Sequence, residues 1–394
     1  MVTLPEYERS PVAIASSILR YFGVDWPYPA LDLLDAAFEK KPKHVALVVF
    51  DGMGMTQLEK YLDEKSFLRT HCLGPISSVF PPTTVAAMNS YYSGLPPAQH
   101  GWLGWSLYFK EAGRAIDIFP RVDSVTKQKI TGAFNPWQLL SYTTVPDMIE
   151  ESSTPGDERF VSYLAPSGIV IPGNKSESIS IAGIDHFFSA LRRQLVEGDG
   201  SGRKSFTLAY WPDPDITLHK TGGDAEAIYA IMRDLDSRCD SLMKDCGRDT
   251  LVIISADHGH IDVNRYVDIS DIPGFVDCMI MPPFLESRSA FFFVKDNQHR
   301  KFEELFQRHL SKEFALFSRK EILAQGLFGP VSAATKMHPK TDDFIADYLI
   351  TATGKRALKY YEPEHDHSHD FASHHAGMTE NEMKIPLILW PRQK

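Results

Sequence analysis

Residues 45–54 read VALVVFDGMG, and this stretch sets the fold class. Its first six residues are an unbroken apolar run that stops at Asp51. A run without polar alternation suits a strand buried on both faces, as in the middle of a mostly parallel sheet. The pattern recurs at residues 206–211 (FTLAYW), 251–255 (LVIIS) and 385–390 (IPLILW). Helical stretches separate the runs, the longest over residues 224–244. The predicted class is therefore α/β, a mostly parallel central sheet with helices on both faces. The first three runs end in acid: Asp51, then Asp213 and Asp215, then Asp257 beside His258. In open α/β sheets ligands bind beyond the carboxyl ends of the strands, so these groups are expected to converge. One Asp after a strand is usually a turn or cap; three in one chain suggest a site.

The chain has 394 residues, more than one ordinary core holds, so a large domain with an insertion or two domains is expected. Residues 266–360 differ from their surroundings: 290–294 (AFFFV) and 344–351 (FIADYLIT) read as strands and 300–310 as an amphipathic helix. This block is predicted to be an α+β cap inserted into a catalytic core of residues 1–265 and 361–394. A net charge of −10 argues against a nucleic-acid-binding surface. No stretch approaches the roughly 18–20 apolar residues of a membrane span. Residues 1–10 lack a basic segment followed by an apolar run, so no secretory signal is expected. Four scattered cysteines without a C-x-x-C pair fit a reducing, cytoplasmic setting.

Residues 80–101 read FPPTTVAAMNSYYSGLPPAQHG. Thr83 can cap a helix that begins at Thr84 and stops at Gly94. Free N–H groups and the positive dipole end then face whatever sits at Thr84, a ready anion site. A threonine at a helix start is by itself far more often a plain cap. After the third run comes Asp257-His258-Gly259-His260, where Gly259 permits a sharp turn that lets Asp257 and His258 reach one metal ion. In residues 213–219 (DPDITLH), Asp213 can cap and Pro214 suits the first helical position. Asp215 and His219 then share a helix face, as either metal ligands or a surface ion pair. His374 and His375 lie near the last run. His365, His367 and His369 belong to a histidine-rich tract that suits loose metal binding.

The stretches VVFDGMG, FPPTTVAAMNSYYSGLPPAQHG, DPDITLH, SADHGH and HHAGMTENEMKIPLIL, in that order over residues 45–390, resemble the alkaline phosphatase superfamily. The branch they resemble is the type I phosphodiesterase/nucleotide pyrophosphatase group. That resemblance implies two divalent metal ions, zinc with manganese as the alternative. One would be held by Asp51, Asp257, His258 and the Thr84 oxygen, the other by Asp215, His219 and His375. It implies Thr84 as the nucleophile, a phospho-threonine that water then hydrolyses, and a small phosphate-ester substrate such as a nucleotide. Thr84 is chosen over Thr83, Asp215 over Asp213 and His375 over His374 by spacing. For a phosphate-contacting asparagine the candidates are Asn135 and, below it, Asn89. Trp102, Trp105, Tyr108 and Trp211 lie near the motifs without forming a recognisable base-stacking pair. The same core admits phosphonate or phosphomonoester hydrolysis, and a binding module without catalysis is the reading from another class.

Overall fold

The computed structural model describes residues 2–132, 134–169, 176–197, 202–332, 335–360 and 370–391. Seven strands form the central sheet: β1 (His44–Phe50), β2 (Cys72–Ser77), β3 (Arg159–Pro166), β4 (Glu177–Ile181), β5 (Lys204–Trp211), β6 (Thr250–Ser255) and β7 (Lys384–Trp390). Their order is β2-β7-β6-β1-β5-β3-β4. Each of the four apolar runs is a strand, and nearly every residue in those strands is buried. β1 sits in the middle and pairs in parallel with β5 and β6, so their carboxyl ends open side by side. Helices pack around the sheet. Ile14 and Ile18, Phe187 and Leu191, and Met232 and Leu235 share one apolar core with the central strands.

The last run departs from the parallel expectation. β7 lies antiparallel to both β6 and β2. An apolar run reports burial and carries no direction. The reversal matters, because it brings the residues that precede β7, among them His374 and His375, to the end of the sheet where β6 leaves Asp257.

Between β6 and β7 the chain builds a separate antiparallel four-stranded sheet that includes Ser289–Phe292, Phe314–Ser318 and Tyr348–Ala352, with the helix His299–His309. Residues 344–351 are not one strand as predicted. Phe344 ends the helix Pro339–Phe344, and the strand begins at Tyr348. Phe344, Ile345 and Ala346 are all buried, so the helix end and the strand merge into one apolar stretch of sequence. A three-stranded meander spanning residues 106–123 shares an apolar cluster with this inserted sheet, through Leu107, Phe109 and Ile116 against Phe284, Leu285, Phe291 and Leu349.

A buried ion pair fastens the insertion to the segment before β7. Arg288 donates from Nε to Glu382 Oε1 at 2.6 Å and from Nη2 to Oε2 at 2.8 Å, and both side chains are fully enclosed. Glu382 also accepts from the Gly377 amide and the Thr379 hydroxyl. That bonding fixes the turn that follows His375, where Ala376 adopts a left-handed φ of 83°.

Candidate metal centre and cleft

The helix α1 (Thr84–Ser93) begins as expected, with Thr83 at the N-cap and Gly94 closing it in the left-handed conformation. The Thr83 hydroxyl does not cap; it donates to Glu286 Oε1 at 2.8 Å. Thr84 therefore stands at the open end of the helix, with its hydroxyl 3.3 Å from Asp51 Oδ2 and 3.2 Å from His258 Nε2. His258 Nε2 lies 3.3 Å from Asp51 Oδ1 and 3.4 Å from Asp257 Oδ2. The backbone sets this convergence. The Asp51 amide donates to the Trp211 carbonyl, and the Asp215 amide donates to the Asp51 carbonyl. Gly52, at φ 72°, leaves the space that a Cβ would take 3.0 Å from the Asp215 backbone.

A second cluster adjoins the first at Asp215. Its Oδ1 lies 3.3 Å from His219 Nε2, 3.8 Å from His375 Nε2 and 2.6 Å from His260 Nε2. It is also 4.0 Å from His258, so the two clusters share this carboxylate. The helix α2 (Asp215–Thr221) carries both Asp215 and His219. It starts one residue later than predicted, with Pro214 at the N-cap and no side-chain cap. Asp213 does not cap it; its Oδ1 accepts from the Thr217 hydroxyl.

The donor chemistry fits divalent ions. The Nδ1 of His258, His219 and His375 each faces a backbone carbonyl, of Gly259, Ser373 and Pro82. A carbonyl only accepts, so each Nδ1 carries the proton and each Nε2 presents a lone pair to the carboxylates. Asp257 Oδ2 is buried without a hydrogen-bond partner among the described residues. A buried acceptor left that way is costly unless a cation satisfies it. Burial and the charges of Asp257 and Asp215 push the Asp51 carboxyl well above its usual range, which marks crowded negative charge. At Asp215 burial pulls the same way, but His219 and His260 overcome it and hold that carboxyl well below its usual range. Four neighbouring separations in the first cluster run from 3.2 to 3.4 Å. They match the edge of a tetrahedron with metal–ligand bonds of about 2.0–2.1 Å, which is about 3.3 Å. Asp51, Asp257, His258 and Thr84 would hold one ion; Asp215, His219 and His375 would hold the other.

Other expectations fare differently. His374 is buried in the cleft, but its Nδ1 accepts the His375 amide and, among the described residues, no carboxylate pairs with it. Gly259 is not left-handed; it is required because a Cβ there would fall 2.0 Å from the Asn381 carbonyl oxygen. Asn135 is a helix cap, accepting the Trp137 amide, and Asn89 spends its amide on the Val85 carbonyl of its own helix. His365, His367 and His369 lie outside the described residues. Sequence reasoning gave no role to Tyr210, whose hydroxyl donates to Asp51 Oδ2, to His260, or to Glu286. The run at residues 206–211 hides Tyr210 among core residues, and nothing local marks Glu286. Burial pushes the Glu286 carboxyl up to about 7.

Asp51, Thr84, Tyr210, Asp215, His219, Glu286 and His375 line a cleft of about 1550 Å³. Its far wall includes Trp105, Phe119 and Trp137, with Trp105 and Phe119 43% and 41% exposed. The two rings meet edge to face at 5.7 Å. Trp102 is enclosed beneath them, Tyr108 packs on Phe284 and Phe293, and Trp211 packs on Phe187.

The fold and this centre define an α/β protein with a candidate metal site at the carboxyl ends of its central strands. Residues 45–327 match the family described as type I phosphodiesterase / nucleotide pyrophosphatase, and the chain belongs to that family. Among curated proteins nothing matches. Solved structures share the fold. Human ectonucleotide pyrophosphatase / phosphodiesterase 5 is 15% identical, with a TM-score of 0.61, over 88% of this chain and 87% of that one. The murine protein is 15% identical with a TM-score of 0.58 over 87% of both chains. Its inactive form, one threonine changed to alanine and in complex with AMP, matches with a TM-score of 0.60, also at 15% identity and over 87% of both chains. Among the described residues no helix is long and apolar enough to cross a membrane.

Proposed function

We propose that this protein hydrolyses phosphodiester or pyrophosphate bonds through a phospho-threonine at Thr84. The observation that carries the reading is the Thr84 hydroxyl. It stands at the N-terminus of α1 with His258 at 3.2 Å and Asp51 at 3.3 Å, on the floor of the cleft. When bound, two divalent ions, zinc or manganese, neutralise charge on the phosphoryl oxygens and lower the pKa of the attacking hydroxyls. Thr84 Oγ1 bonds to phosphorus as the ester or phosphoanhydride bond breaks, and the leaving oxygen takes up a proton. Water then displaces Oγ1 and releases phosphate monoester. The free N–H groups at the helix end hold the non-bridging oxygens.

The lining favours a diester over a monoester. Its only cations are Lys127, bonded to Asp117, and Lys359, close to Asp370; no arginine lines the cleft among the described residues. A diester carries one negative charge and two substituents, so it needs less positive charge and more room. The exposed rings of Trp105 and Phe119 suit stacking against a base, which supports a nucleotide substrate. The AMP bound by the murine neighbour agrees with that choice. A cytoplasmic setting belongs to the same proposal, and fractionation of the native cell checks it.

A panel of p-nitrophenyl phosphate, bis-p-nitrophenyl phosphate, a dinucleotide and a phosphonate, with zinc and with manganese, separates the readings. Fastest turnover of the diesters supports the proposal. Preference for the monoester or phosphonate overturns the diester assignment. Two bound ions without hydrolysis would mark a binding module.

A further inference from the structure

His260 does not fit the ligand set above, although its Nε2 lies with those of His219 and His375 and a carboxylate oxygen of Asp215, all within 4.8 Å of one another. The spacing decides its role. Ligands on one tetrahedral ion of about 2.0–2.1 Å bond length sit about 3.3 Å apart. His219 meets that distance from Asp215, and His375 lies slightly beyond it. His260 Nε2 is only 2.6 Å from Asp215 Oδ1, the length of a charge-assisted hydrogen bond. That contact needs a proton on Nε2. Its Nδ1 faces the one partner among the four imidazoles that can donate to it, the Ser373 hydroxyl at 3.1 Å.

We infer that His260 is a positioning residue held in the opposite tautomer to its three neighbours, donating from Nε2 to aim the Asp215 carboxylate at the second ion. Ser373 sets both states. Its carbonyl accepts from His219 Nδ1, which leaves the His219 lone pair for metal; its hydroxyl donates to His260 Nδ1, which leaves the His260 proton for Asp215. Ser373 is held in place by the two-residue antiparallel ladder in which Asp262 and Ile261 face Ser373 and His374. The His260 main chain is gripped from both sides by the Gln57 amide, which donates to its carbonyl at 3.0 Å and accepts its N–H at 3.3 Å. Its ring rests over Gly52, where a Cβ would come within 3.0 Å of it.

The inference rests on the two-ion reading, and the test separates the two. Ion stoichiometry, affinity by chelator competition and the visible spectrum of the cobalt-loaded protein are measured for the full chain, His260→Ala, His260→Gln and Ser373→Ala. The wild type is expected to hold two ions. His260→Ala should weaken one of them roughly 10–100-fold, the usual cost of losing a partner behind a ligand. His260→Gln, which keeps a donor near Nε2, should recover most of the loss, and Ser373→Ala should fall between. At saturating cobalt all four spectra should coincide, because no coordinating atom has changed. A wild type without two ions overturns the proposed function and the inference together. With two ions in the wild type, unchanged affinity in His260→Ala overturns the inference alone, and so does a changed spectrum at saturation, which would make His260 a ligand. If His260→Ala does not fold, His260→Gln and Ser373→Ala carry the same comparison.

Discussion

On one side of the cleft, Asp51, Asp215 and Asp257 leave three neighbouring strands of one sheet within a few residues of each strand end. On the other, Trp105, Phe119 and Glu286 come from segments nearly two hundred residues apart in sequence order, joined through an apolar cluster. The first wall is polar and aligned by backbone bonds such as Asp215 N–H to the Asp51 carbonyl. The second is apolar and aligned by side-chain packing, with the Arg288–Glu382 pair tying it to the turn after His375. Under the proposed function, chemistry falls to the wall whose geometry the sheet dictates, and substrate choice to the wall that packing can vary. This division agrees with the general rule that function resides in sites set on a fold.

The largest effect should come from the first wall. Thr84→Ala is expected to lower kcat on a diester by on the order of 10⁴–10⁶ while two ions remain bound. Turnover near the wild-type rate would remove Thr84 as nucleophile, whereas loss of both ions would make it structural.

Next comes the tie between the walls. Arg288→Met leaves the Glu382 carboxylate enclosed without its partner, a change that costs about 3–5 kcal/mol. Denaturant unfolding should show it as a lower midpoint. A midpoint within error of the wild type would mean that the walls are joined by apolar contact alone.

A smaller change is expected at the second wall. Trp105→Ala removes a ring contact of about 0.5–1.5 kcal/mol, so KM for a nucleotide diester should rise several-fold. The KM for a small alkyl diester should hardly move. Equal changes for both substrates would place the base elsewhere.

A pH dependence of stability is expected from Glu286. Burial raises its carboxyl from 4.5 to about 7, so the folded state holds this proton more tightly than the unfolded chain. The sign follows: its contribution is fully present below pH 4.5 and is lost as pH rises through about 7. Glu286→Gln keeps an acceptor oxygen for Thr83 and the Trp105 amide but has no proton to lose. Its melting temperature relative to wild type should climb across that window, and a flat difference would contradict the assignment.

Much of the first wall was legible in the residues. An unbroken apolar run ending in acid says both that a strand is buried and that a charge waits at its end. That information is local and marks Asp51, Asp257 and His258, with Asp213 or Asp215. The full set with Thr84, Asp215, His219 and His375 is what the family resemblance of the motifs implies, and the structure places these side chains near one another. At Gly259 the cause is tertiary: the turn needs no left-handed residue there, and the Asn381 carbonyl of a distant segment leaves no room for a Cβ. Nothing local marks Asn135 or Asn89 as a phosphate contact, and the structure commits their side chains to a helix cap and to the Val85 carbonyl.

By itself, then, the sequence determined the α/β class, the strand ends and the chemical groups they carry, since burial and capping are written in short stretches. Tertiary structure alone decided the antiparallel entry of β7, the aromatic wall, the proton on His260 and the enclosure of Glu286. Each depends on which distant atoms become neighbours. His260 shows the difference most clearly: its place in the motif was visible from the start, but only the 2.6 Å approach to Asp215 and the Ser373 hydroxyl behind it separate a positioning hydrogen bond from a metal ligand.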